Sequence, residues 1–579
     1  MTETDHSAAE ADGLLDAEEV VERVVLDDED GSEDATTKTG KTDSQWLPLR
    51  KLLSATATLG LLIGASYAFD QSWAQPWRAD EDYVPFWNLI GREFMGQEAA
   101  AEAEAEKADA LDELAKLAEA EEVDGDAPVP DRKPLRPPPS ADTDDGADSV
   151  ARYPSYVAHE LDPAADEVKH RLANPEALEP FFAALARTDL GYAGAVTRAG
   201  HWGDSILGTD GIPSAIRRRL QARFGDAGHG FHAIRPYDAS YRHQGIVFAE
   251  EGNTRWQSCM VRSRCMEDGS YGYGGATARS SGGPTSVFET AAKGSVGTSV
   301  SVFELWYRAQ PEGGNIRVRI DGGPERGGED RLVSTALDGG AGEGETGTGA
   351  GAPEGIVDAW ARVELPDGPH RFEVRAAGGG AVQAYGVTLE REGPGVVWDG
   401  MALIGAFTKR LLEPEAEHLR VQLQHRELDL MVFTFGGNDM TRDKGDLRYT
   451  MDPYVEEYGQ VIERFKAARP EAACLIIGPV DHGERVDARI VSRPVGPRMT
   501  EAQRQVARDH GCAFFDTLAA MGGPGSVARW KQRSLISGDL AHPTARGHKL
   551  IASLVVQALM VDYVAFRERV AGEPMPPMD

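Results

Sequence analysis

The chain contains a serine, a histidine and a carboxylate of the types that nucleophilic catalysis requires. Ser205 follows a glycine and an aspartate in the stretch "HWGDS", directly behind a short predicted strand. Asp539 and His542 lie three residues apart in "SGDLAHPTARGH", and Asn438 lies in "TFGGNDM". Gly405 ends another apolar stretch, "GVVWDGMALIG". We interpret these five residues as one candidate site.

Together, these residue types could cleave an ester. Ser205 is the candidate nucleophile, exposed on a tight turn, and His542 is the base that accepts its proton. Asp539 could bind the other imidazole nitrogen and so set the tautomer of the ring. The backbone N–H groups of Ser205 and Gly405, with the side-chain amide of Asn438, are the candidate oxyanion hole. No cofactor and no metal ion are expected, since the sequence has no Cys/His cluster with zinc spacing.

A parallel α/β sheet would bring these residues together. Around them the sequence alternates helical patterns with short apolar strands such as "LDLMVFTF", "ACLIIGPV" and "AFFD". Such alternation is typical of an α/β domain with a parallel sheet. In these sheets active sites form at the carboxyl ends of the strands, which is where the candidate residues fall. The sequence therefore predicts a catalytic domain in two parts, 151–238 and 395–579.

Residues 239–394 differ in pattern from both flanking parts. Long helical patterns are absent, and Gly-rich turns separate strands of alternating polarity such as "NIRVRIDGG" and "AWARVELPDGPHRFEVRA". This pattern is typical of an all-β sandwich. The sequence therefore predicts a β-sandwich inserted within the α/β domain.

Three segments of biased composition precede the catalytic domain. Residues 1–47 are acidic and poor in aromatics, which predicts a disordered tail. Residues 48–70 contain the uncharged run Leu52–Phe69, which predicts an uncleaved transmembrane signal anchor. A cleaved signal peptide is the alternative, because "SYA" near the end of the run has small residues at cleavage-site spacing. Residues 71–150 combine an Ala/Glu-rich helix with a Pro-rich linker.

Basic residues before the apolar run set the expected orientation in the membrane. Lys38, Lys41, Arg50 and Lys51 predict an acidic tail that stays in the cytoplasm. The catalytic part is then expected outside the cytoplasm, in the periplasm or cell envelope, held to the membrane by the N-terminal helix.

Charge and cysteine content narrow the class of protein. The formal net charge is −34, and no Lys/Arg cluster is evident, so nucleic-acid binding is not expected. Cys259 and Cys265 flank "MVRSR" and could close a small disulfide loop in an oxidising compartment. Cys474 and Cys512 lie in apolar runs, which predicts buried thiols.

Four other polar residues are interpreted as solvent-exposed. Asp481 and His482 follow a predicted strand, and contact with substrate is the alternative for both. His418 and His425 lie on a charged predicted helix.

With these motifs the chain resembles the SGNH, or GDSL-type, hydrolases. The likeness rests on the "GDS" that ends at Ser205, the "GGND" that contains Asn438, and the DxxH spacing of Asp539 and His542. It implies that Ser205, Gly405, Asn438 and His542 are the four residues that define the family. A sandwich inserted between the serine and glycine blocks looks like the peptidoglycan O-acetylesterase branch, as does the stretch "RFGDAGHGF". In that branch the insert resembles a carbohydrate-binding module.

The resemblance implies a serine esterase that removes O-acetyl groups from a cell-envelope polysaccharide, with peptidoglycan as the expected polymer and an acyl-enzyme on Ser205. The acetylated polysaccharide is the expected partner. An O-acetyltransferase with the same triad is an alternative, since the choice of acceptor depends on how far water is excluded from the site. A sugar-binding scaffold with a vestigial site is a third possibility, and the intact set of residues argues against it.

Overall fold

The structure of the protein is a computed structural model. It describes residues 135–136, 151–294, 297–337, 346–347, 357–443 and 450–576. The tail and the anchor predicted at residues 1–47 and 48–70 lie outside the described residues, as does nearly all of segment 71–150.

Most strands of the described residues belong to three sheets. In chain order the strands are β1 (Val196–Gly203), β2 (Gly228–Ala233), β3 (Ile246–Glu251), β4 (Gln257–Met260), β5 (Ala276–Ser280), β6 (Thr285–Thr290), β7 (Val300–Ala309), β8 (Asn315–Ile320), β9 (Glu329–Ser334), β10 (Thr346–Gly347), β11 (Val357–Gly368), β12 (Arg371–Gly378), β13 (Val382–Glu390), β14 (Gly395–Ala402), β15 (Leu430–Thr434), β16 (Ala473–Ile477), β17 (Gly483–Val486), β18 (Arg489–Ser492) and β19 (Ala513–Phe515). The α-helices are α1 (Glu179–Asp189), α2 (Gly211–Phe224), α3 (Ala416–Arg426), α4 (Asp452–Ala468), α5 (Val495–Asp509), α6 (Thr517–Ala520), α7 (Ser526–Gln532) and α8 (Ala545–Arg569). Short 3₁₀ helices lie at Pro175–Leu178, Ser205–Leu207, Pro324–Arg326, Thr408–Leu412 and Asp439–Asp443.

Five strands form a parallel sheet in the order β14–β1–β15–β16–β19. Strands β14, β15, β16 and β19 are buried along their whole length, because helices cover both faces of the sheet. Alternate residues face opposite sides: Leu430 and Val432 pack with α1, α2 and α8, whereas Met431 and Phe433 pack with α3, α4 and α5. The predicted α/β fold with a parallel sheet is confirmed.

The strands that lie between β1 and β14 in the sequence form two antiparallel sheets. One has the order β10–β11–β7–β13–β5–β4, with β2 also paired to β13, and the other has the order β3–β6–β12–β8–β9. Their apolar residues form one buried cluster, in which the rings of Phe303 and Phe372 stack with centroids 4.8 Å apart. The two sheets therefore pack face to face, as in a β-sandwich. The predicted boundary between residues 238 and 239 stays a prediction, and β2, which precedes it, pairs with a sandwich strand.

Helix α3 joins the parallel-sheet part to the sandwich. His418 Nδ1 donates to Asp358 Oδ2 at 2.7 Å, and its Nε2 accepts from the Gly272 N–H at 2.8 Å. His425 stacks on Trp360 with ring centroids 3.7 Å apart. Both histidines are half-buried at this junction, so their interpretation as merely solvent-exposed is wrong.

Helix α8 owes its apolar composition to its place in the core. Among the helices that the structure describes, α8 is long and apolar enough to cross a membrane. Its most apolar window has a mean hydropathy of 1.7. However, 72% of that window is buried inside the protein. Its residues belong to the same buried cluster as α1 and α2.

All four cysteines form disulfides. Cys259 and Cys265 are bonded, which settles the pairing that the sequence left open. Cys474 on β16 is bonded to Cys512, which lies directly before β19. The predicted burial of both residues is confirmed, but the prediction that they are thiols is wrong. The two runs are 38 residues apart in sequence, and the pairing of β16 with β19 brings the two Cα atoms within 4.6 Å.

Candidate active site

The register of the parallel sheet brings the ends of three neighbouring strands to one edge. Gly203, the last residue of β1, pairs with the last residue of β14 on one side and the last residue of β15 on the other. Ser205, Gly405 and Asn438 follow these three strands by two, three and four residues. The sheet therefore places three of the candidate residues at one edge, although up to 233 positions separate them in sequence.

The turn before Ser205 depends on the glycine and aspartate of "GDS". A Cβ at Gly203 would lie 2.6 Å from a carbonyl oxygen of β15 and 2.7 Å from the Leu207 side chain, so this close approach requires glycine. The buried Asp204 accepts from the Ile206 N–H at 3.1 Å and caps the 3₁₀ helix that begins at Ser205. Burial raises the pKa of Asp204.

Ser205, His542 and Asp539 form a continuous chain of hydrogen bonds. Ser205 Oγ lies 2.7 Å from His542 Nε2, and His542 Nδ1 lies 2.7 Å from Asp539 Oδ2. Asp539 Oδ1 accepts from the backbone N–H groups of Ala541 at 3.0 Å and His542 at 3.1 Å. Burial alone would raise the pKa of Asp539. These bonds, with one from the Ser537 hydroxyl, instead hold this pKa well below its usual range.

The ionised Asp539 fixes the tautomer of the histidine. A carboxylate can only accept, so Nδ1 of His542 carries the hydrogen and Nε2 presents its lone pair to the Ser205 hydroxyl. The side chains of His542 and Asp539 are 45% and 51% exposed, so water reaches this pair.

A closed turn before α8 supports the pair. The Ser537 N–H donates to the His542 carbonyl at 2.8 Å, and the Gly483 N–H donates to the carbonyl of Leu540 at 2.8 Å. Leu540 itself adopts a left-handed conformation with φ of 61°. The turn places Asp539 and His542 on the same side of the loop.

The candidate oxyanion donors lie on the loops after β14 and β15. Gly405 has a φ of 73°, which favours glycine. One amide hydrogen of Asn438 is donated to the Ala406 carbonyl at 3.1 Å, which leaves the other for a ligand. Among the described residues no backbone acceptor contacts the N–H of Ser205 or that of Gly405. The geometry permits the proposed oxyanion hole, and the role of these donors stays a prediction.

Asp439, which sequence reasoning left without a role, ties the two oxyanion loops together. Its Oδ2 accepts from the backbone N–H of Thr408 at 3.0 Å and from the Thr408 hydroxyl at 2.8 Å. Burial raises the pKa of Asp439 to about 6. The position of Asp439 in "GGND" could have marked it as a candidate site residue. Its partner Thr408 could not be found in this way, because it lies 31 positions away, beside the loop that carries Gly405.

Asp481 is buried and was wrongly interpreted as a solvated loop residue. Its Oδ2 accepts from the hydroxyls of Ser492 at 2.7 Å and Ser526 at 3.1 Å, and from the Val527 N–H at 2.9 Å. It therefore holds the start of α7 against the loop after β16.

His482 lies beside the "GGND" loop. It is half-buried, and a Cβ at Gly437 would lie 3.1 Å from its ring. Burial, reinforced by the neighbouring His542, lowers the pKa of His482 to about 4. The ring is therefore neutral near pH 7. Its partial burial differs from the solvated position expected from the sequence, and the alternative of contact with substrate stays open.

The described residues contain no group of three or more His, Cys, Asp or Glu side chains that could hold a metal ion.

Part of the candidate site lies in a region that matches a known protein family. Residues 367–550 match the family model of the GDSL-like lipase/acylhydrolase family. The matched range contains Gly405, Asn438, Asp539 and His542. Ser205 lies outside this range, before the sandwich in the sequence. No curated protein sequence matches the chain.

Two solved structures show the extent of the structural likeness. A peptidoglycan O-acetylesterase is 19% identical with a TM-score of 0.51, and the match covers 66% of this chain and 95% of that chain. An acetylxylan esterase from Geobacillus stearothermophilus is 18% identical with a TM-score of 0.22, and the match covers 29% of this chain and 73% of that chain. The first match shows a shared fold. Residues 367–550 therefore form a GDSL-like lipase/acylhydrolase domain, which supports hydrolase activity.

Proposed function

We propose that the protein is a serine esterase that removes O-acetyl groups from a cell-envelope polysaccharide, with peptidoglycan as the polymer. The observation that carries the catalytic part is the hydrogen-bonded chain from Ser205 through His542 to Asp539. It lies at the sheet edge where the Asn438 amide is available as a donor, together with two backbone N–H groups that contact no backbone acceptor among the described residues.

The geometry supports a two-step mechanism. Ser205 Oγ attacks the acetyl carbonyl while His542 Nε2 takes the hydroxyl proton, and the tetrahedral oxyanion is stabilised by the candidate donors. His542 then protonates the departing sugar oxygen, which leaves an acetyl group on Ser205. Water attacks this acyl-enzyme with His542 as the base, and acetate leaves as the proton returns to Ser205. Asp539 stays ionised throughout and orients the ring.

Exposure of the site favours hydrolysis over acetyl transfer. A transferase must keep water from its acyl-enzyme, whereas here the side chains of both His542 and Asp539 are about half exposed. Bulk water is therefore the expected acceptor. The intact hydrogen-bonded chain argues against a sugar-binding scaffold with a vestigial site.

The sandwich supports a polysaccharide substrate. The shared fold with the peptidoglycan O-acetylesterase extends over 95% of that protein, and we propose that the insert binds glycan as a carbohydrate-binding module does. Strand β4 of the sandwich leads directly into a loop that reaches Gly405, so part of the sandwich lies beside the candidate oxyanion hole.

We further propose that the catalytic part lies outside the cytoplasm and that the apolar segment 48–70 anchors it in the membrane. The two disulfides support this location, since disulfides persist in oxidising compartments and are rare in the cytosol. Fractionation with membranes, combined with digestion of the catalytic part by protease added from outside, tests the topology. A soluble chain that starts near Phe69 would show cleavage instead.

Acetate release is the direct test of the activity. The purified full chain should release acetate from O-acetylated peptidoglycan, but not from the same material after mild alkali has removed its esters. Ser205→Ala should release none. Acetate release from acetylxylan but not from peptidoglycan would show that the proposed polymer is wrong. Acetyl transfer to added sugar without net acetate would show that the enzyme is a transferase instead of a hydrolase.

A further inference from the structure

The loop closed by the first disulfide extends from the sandwich to the active site. Cys259 lies on β4, and its bond to Cys265 encloses the segment "MVRSR". Cys259 is buried, whereas Arg262 at the middle of the loop is exposed. The disulfide therefore restrains the loop that presents this arginine.

Arg262 lies directly over Gly405. A Cβ placed on Gly405 would lie 3.0 Å from Cζ, 3.0 Å from Nη1 and 3.2 Å from Nε of Arg262. These nearly equal distances mean that the flat face of the guanidinium covers the glycine. Nη1 also lies 3.5 Å from the carbonyl oxygen of Ile404. A residue of the sandwich thus places a positive charge beside a candidate oxyanion donor of the α/β domain.

This guanidinium has no anionic partner among the residues that the structure describes. The neighbouring Arg264 pairs with Glu413 at 3.1 Å, but no carboxylate of a described residue forms an ion pair with Arg262. On a chain with a net charge of −34, this exposed arginine at the edge of the candidate site is suited to bind an external anion. Guanidinium binds carboxylates in a planar, two-pronged manner along an N–H edge. Nη1 faces the Ile404 carbonyl, whereas Nε and Nη2 contact no acceptor among the described residues.

We propose that Arg262 is a specificity-determining residue that binds a carboxylate carried by the substrate next to the ester that Ser205 attacks. The proposal rests on the proposed function, because it requires a sugar acetate to occupy the site. It extends that function by assigning charge selection to the sandwich rather than to the α/β domain. The substrate class is then an O-acetylated sugar with a free carboxylate, as a muramic acid residue of peptidoglycan has once its peptide has been removed.

A matched pair of small substrates tests the selection. O-acetylated N-acetylmuramic acid and O-acetylated N-acetylglucosamine differ by a lactyl ether that bears the carboxylate. With the full chain we expect kcat/KM to be about fivefold higher for the acid, the effect of one well-placed exposed ion pair. In Arg262→Ala this ratio should fall to about one, through a higher KM for the acid. Added salt should weaken the wild-type preference.

Two further variants separate charge recognition from a structural effect. Arg262→Lys should keep part of the preference, because the charge remains. Arg264→Ala alters the same loop two residues away, at an arginine already paired with Glu413, and should keep the wild-type ratio. A wild-type ratio of one, or a ratio unchanged in Arg262→Ala, overturns the proposal. So does an equal fall in kcat on both substrates, which would assign Arg262 to the oxyanion instead.

Competition keeps this test separate from the proposed function. Hydrolysis of 4-nitrophenyl acetate needs only the esterase site. N-acetylmuramic acid should inhibit it with a Ki about fivefold lower than that of N-acetylglucosamine, and Arg262→Ala should remove this difference. If neither acetylated sugar is hydrolysed, the proposed function fails, and the ratio of the two Ki values still decides the role of Arg262.

Discussion

At the scale of single residues, Asn438 divides its two amide hydrogens between structure and function. One is donated to the Ala406 carbonyl and orients the side chain, and the other is available to the developing oxyanion. A donor that acts mainly in the transition state affects turnover more than binding.

We therefore predict that Asn438→Ala lowers kcat by about 10²–10³ with little change in KM, which corresponds to ~3–4 kcal/mol of transition-state stabilisation. Steady-state hydrolysis of 4-nitrophenyl acetate is the measurement. Asn315→Ala removes a comparable bond from an amide to a backbone carbonyl in the sandwich and should leave kcat unchanged. A rise in KM alone for Asn438→Ala would contradict the oxyanion role.

Asp539 acts on the reaction through His542. Because its hydrogen bonds hold the pKa of Asp539 well below the usual range, we expect the carboxylate to be ionised at neutral and mildly acidic pH. We predict that Asp539→Asn lowers kcat by ~10²–10⁴, since an amide that donates to Nδ1 favours the wrong tautomer. The wild-type rate profile should show no separate loss of activity that belongs to Asp539 between about pH 4 and pH 6. Nearly full activity in Asp539→Asn would exclude it from the triad.

At the scale of elements, the two 3₁₀ helices after β14 and β15 are joined by one buried carboxylate. Asp439 begins the second helix and accepts two hydrogen bonds from Thr408, which begins the first. Its pKa is about 6 in the folded protein, against ~3.9 in an unfolded chain. Between these values the folded state binds more protons, so this group costs stability as the pH rises through that window.

We therefore predict that the effect of Asp439→Asn on the free energy of unfolding is more favourable at about pH 7.5 than at about pH 4, by on the order of 1–3 kcal/mol. Urea unfolding at the two pH values measures this difference. Asp166→Asn, at an exposed aspartate, should show no such dependence. An effect of Asp439→Asn that is independent of pH would mean that Asp439 is solvated.

At the scale of the whole molecule, a buried charge network joins the sandwich to the α/β domain. Arg426 on α3 binds Asp399 of β14 at 2.8 Å and Glu390 of β13 at 2.5 Å. Burial alone would raise the pKa of Glu390, but the charges of Arg198 and Arg426 lower this pKa to about 2. Removal of Arg426 leaves the buried Asp399 without a cation, whereas Glu390 keeps its ion pair with Arg198 at 3.1 Å.

We predict that Arg426→Met lowers the free energy of unfolding by ~3–5 kcal/mol, while both domains continue to unfold in one transition. Calorimetry and urea unfolding of the full chain measure the two effects. Arg420→Met, which removes a partly exposed pair with Glu417 on the same helix, should cost less than ~1 kcal/mol. Two separate transitions in the wild type would show that the sandwich and the α/β domain are energetically independent.

The sequence by itself determined the chemistry and the order of the parts. Apolar runs such as "LDLMVFTF" predict buried parallel strands because both faces of such a strand are covered, and this local pattern needs no knowledge of distant residues. The residue types at Ser205, Asn438, Asp539 and His542 likewise predict ester hydrolysis from their chemistry alone, and the structure brings them to one edge of the sheet. The membrane anchor at residues 48–70 stays a prediction that rests on amino-acid composition.

Only the tertiary structure decided which distant residues meet. The pairing of β16 with β19 converts two expected thiols into the Cys474–Cys512 disulfide. The packing of α3 on the sandwich converts the expected surface residue His425 into part of the domain junction. The position of Arg262 over Gly405 joins residues 143 positions apart. The physical reason is common to all three: a local pattern records how much of a side chain is buried, whereas the identity of its neighbour depends on strand register and domain packing.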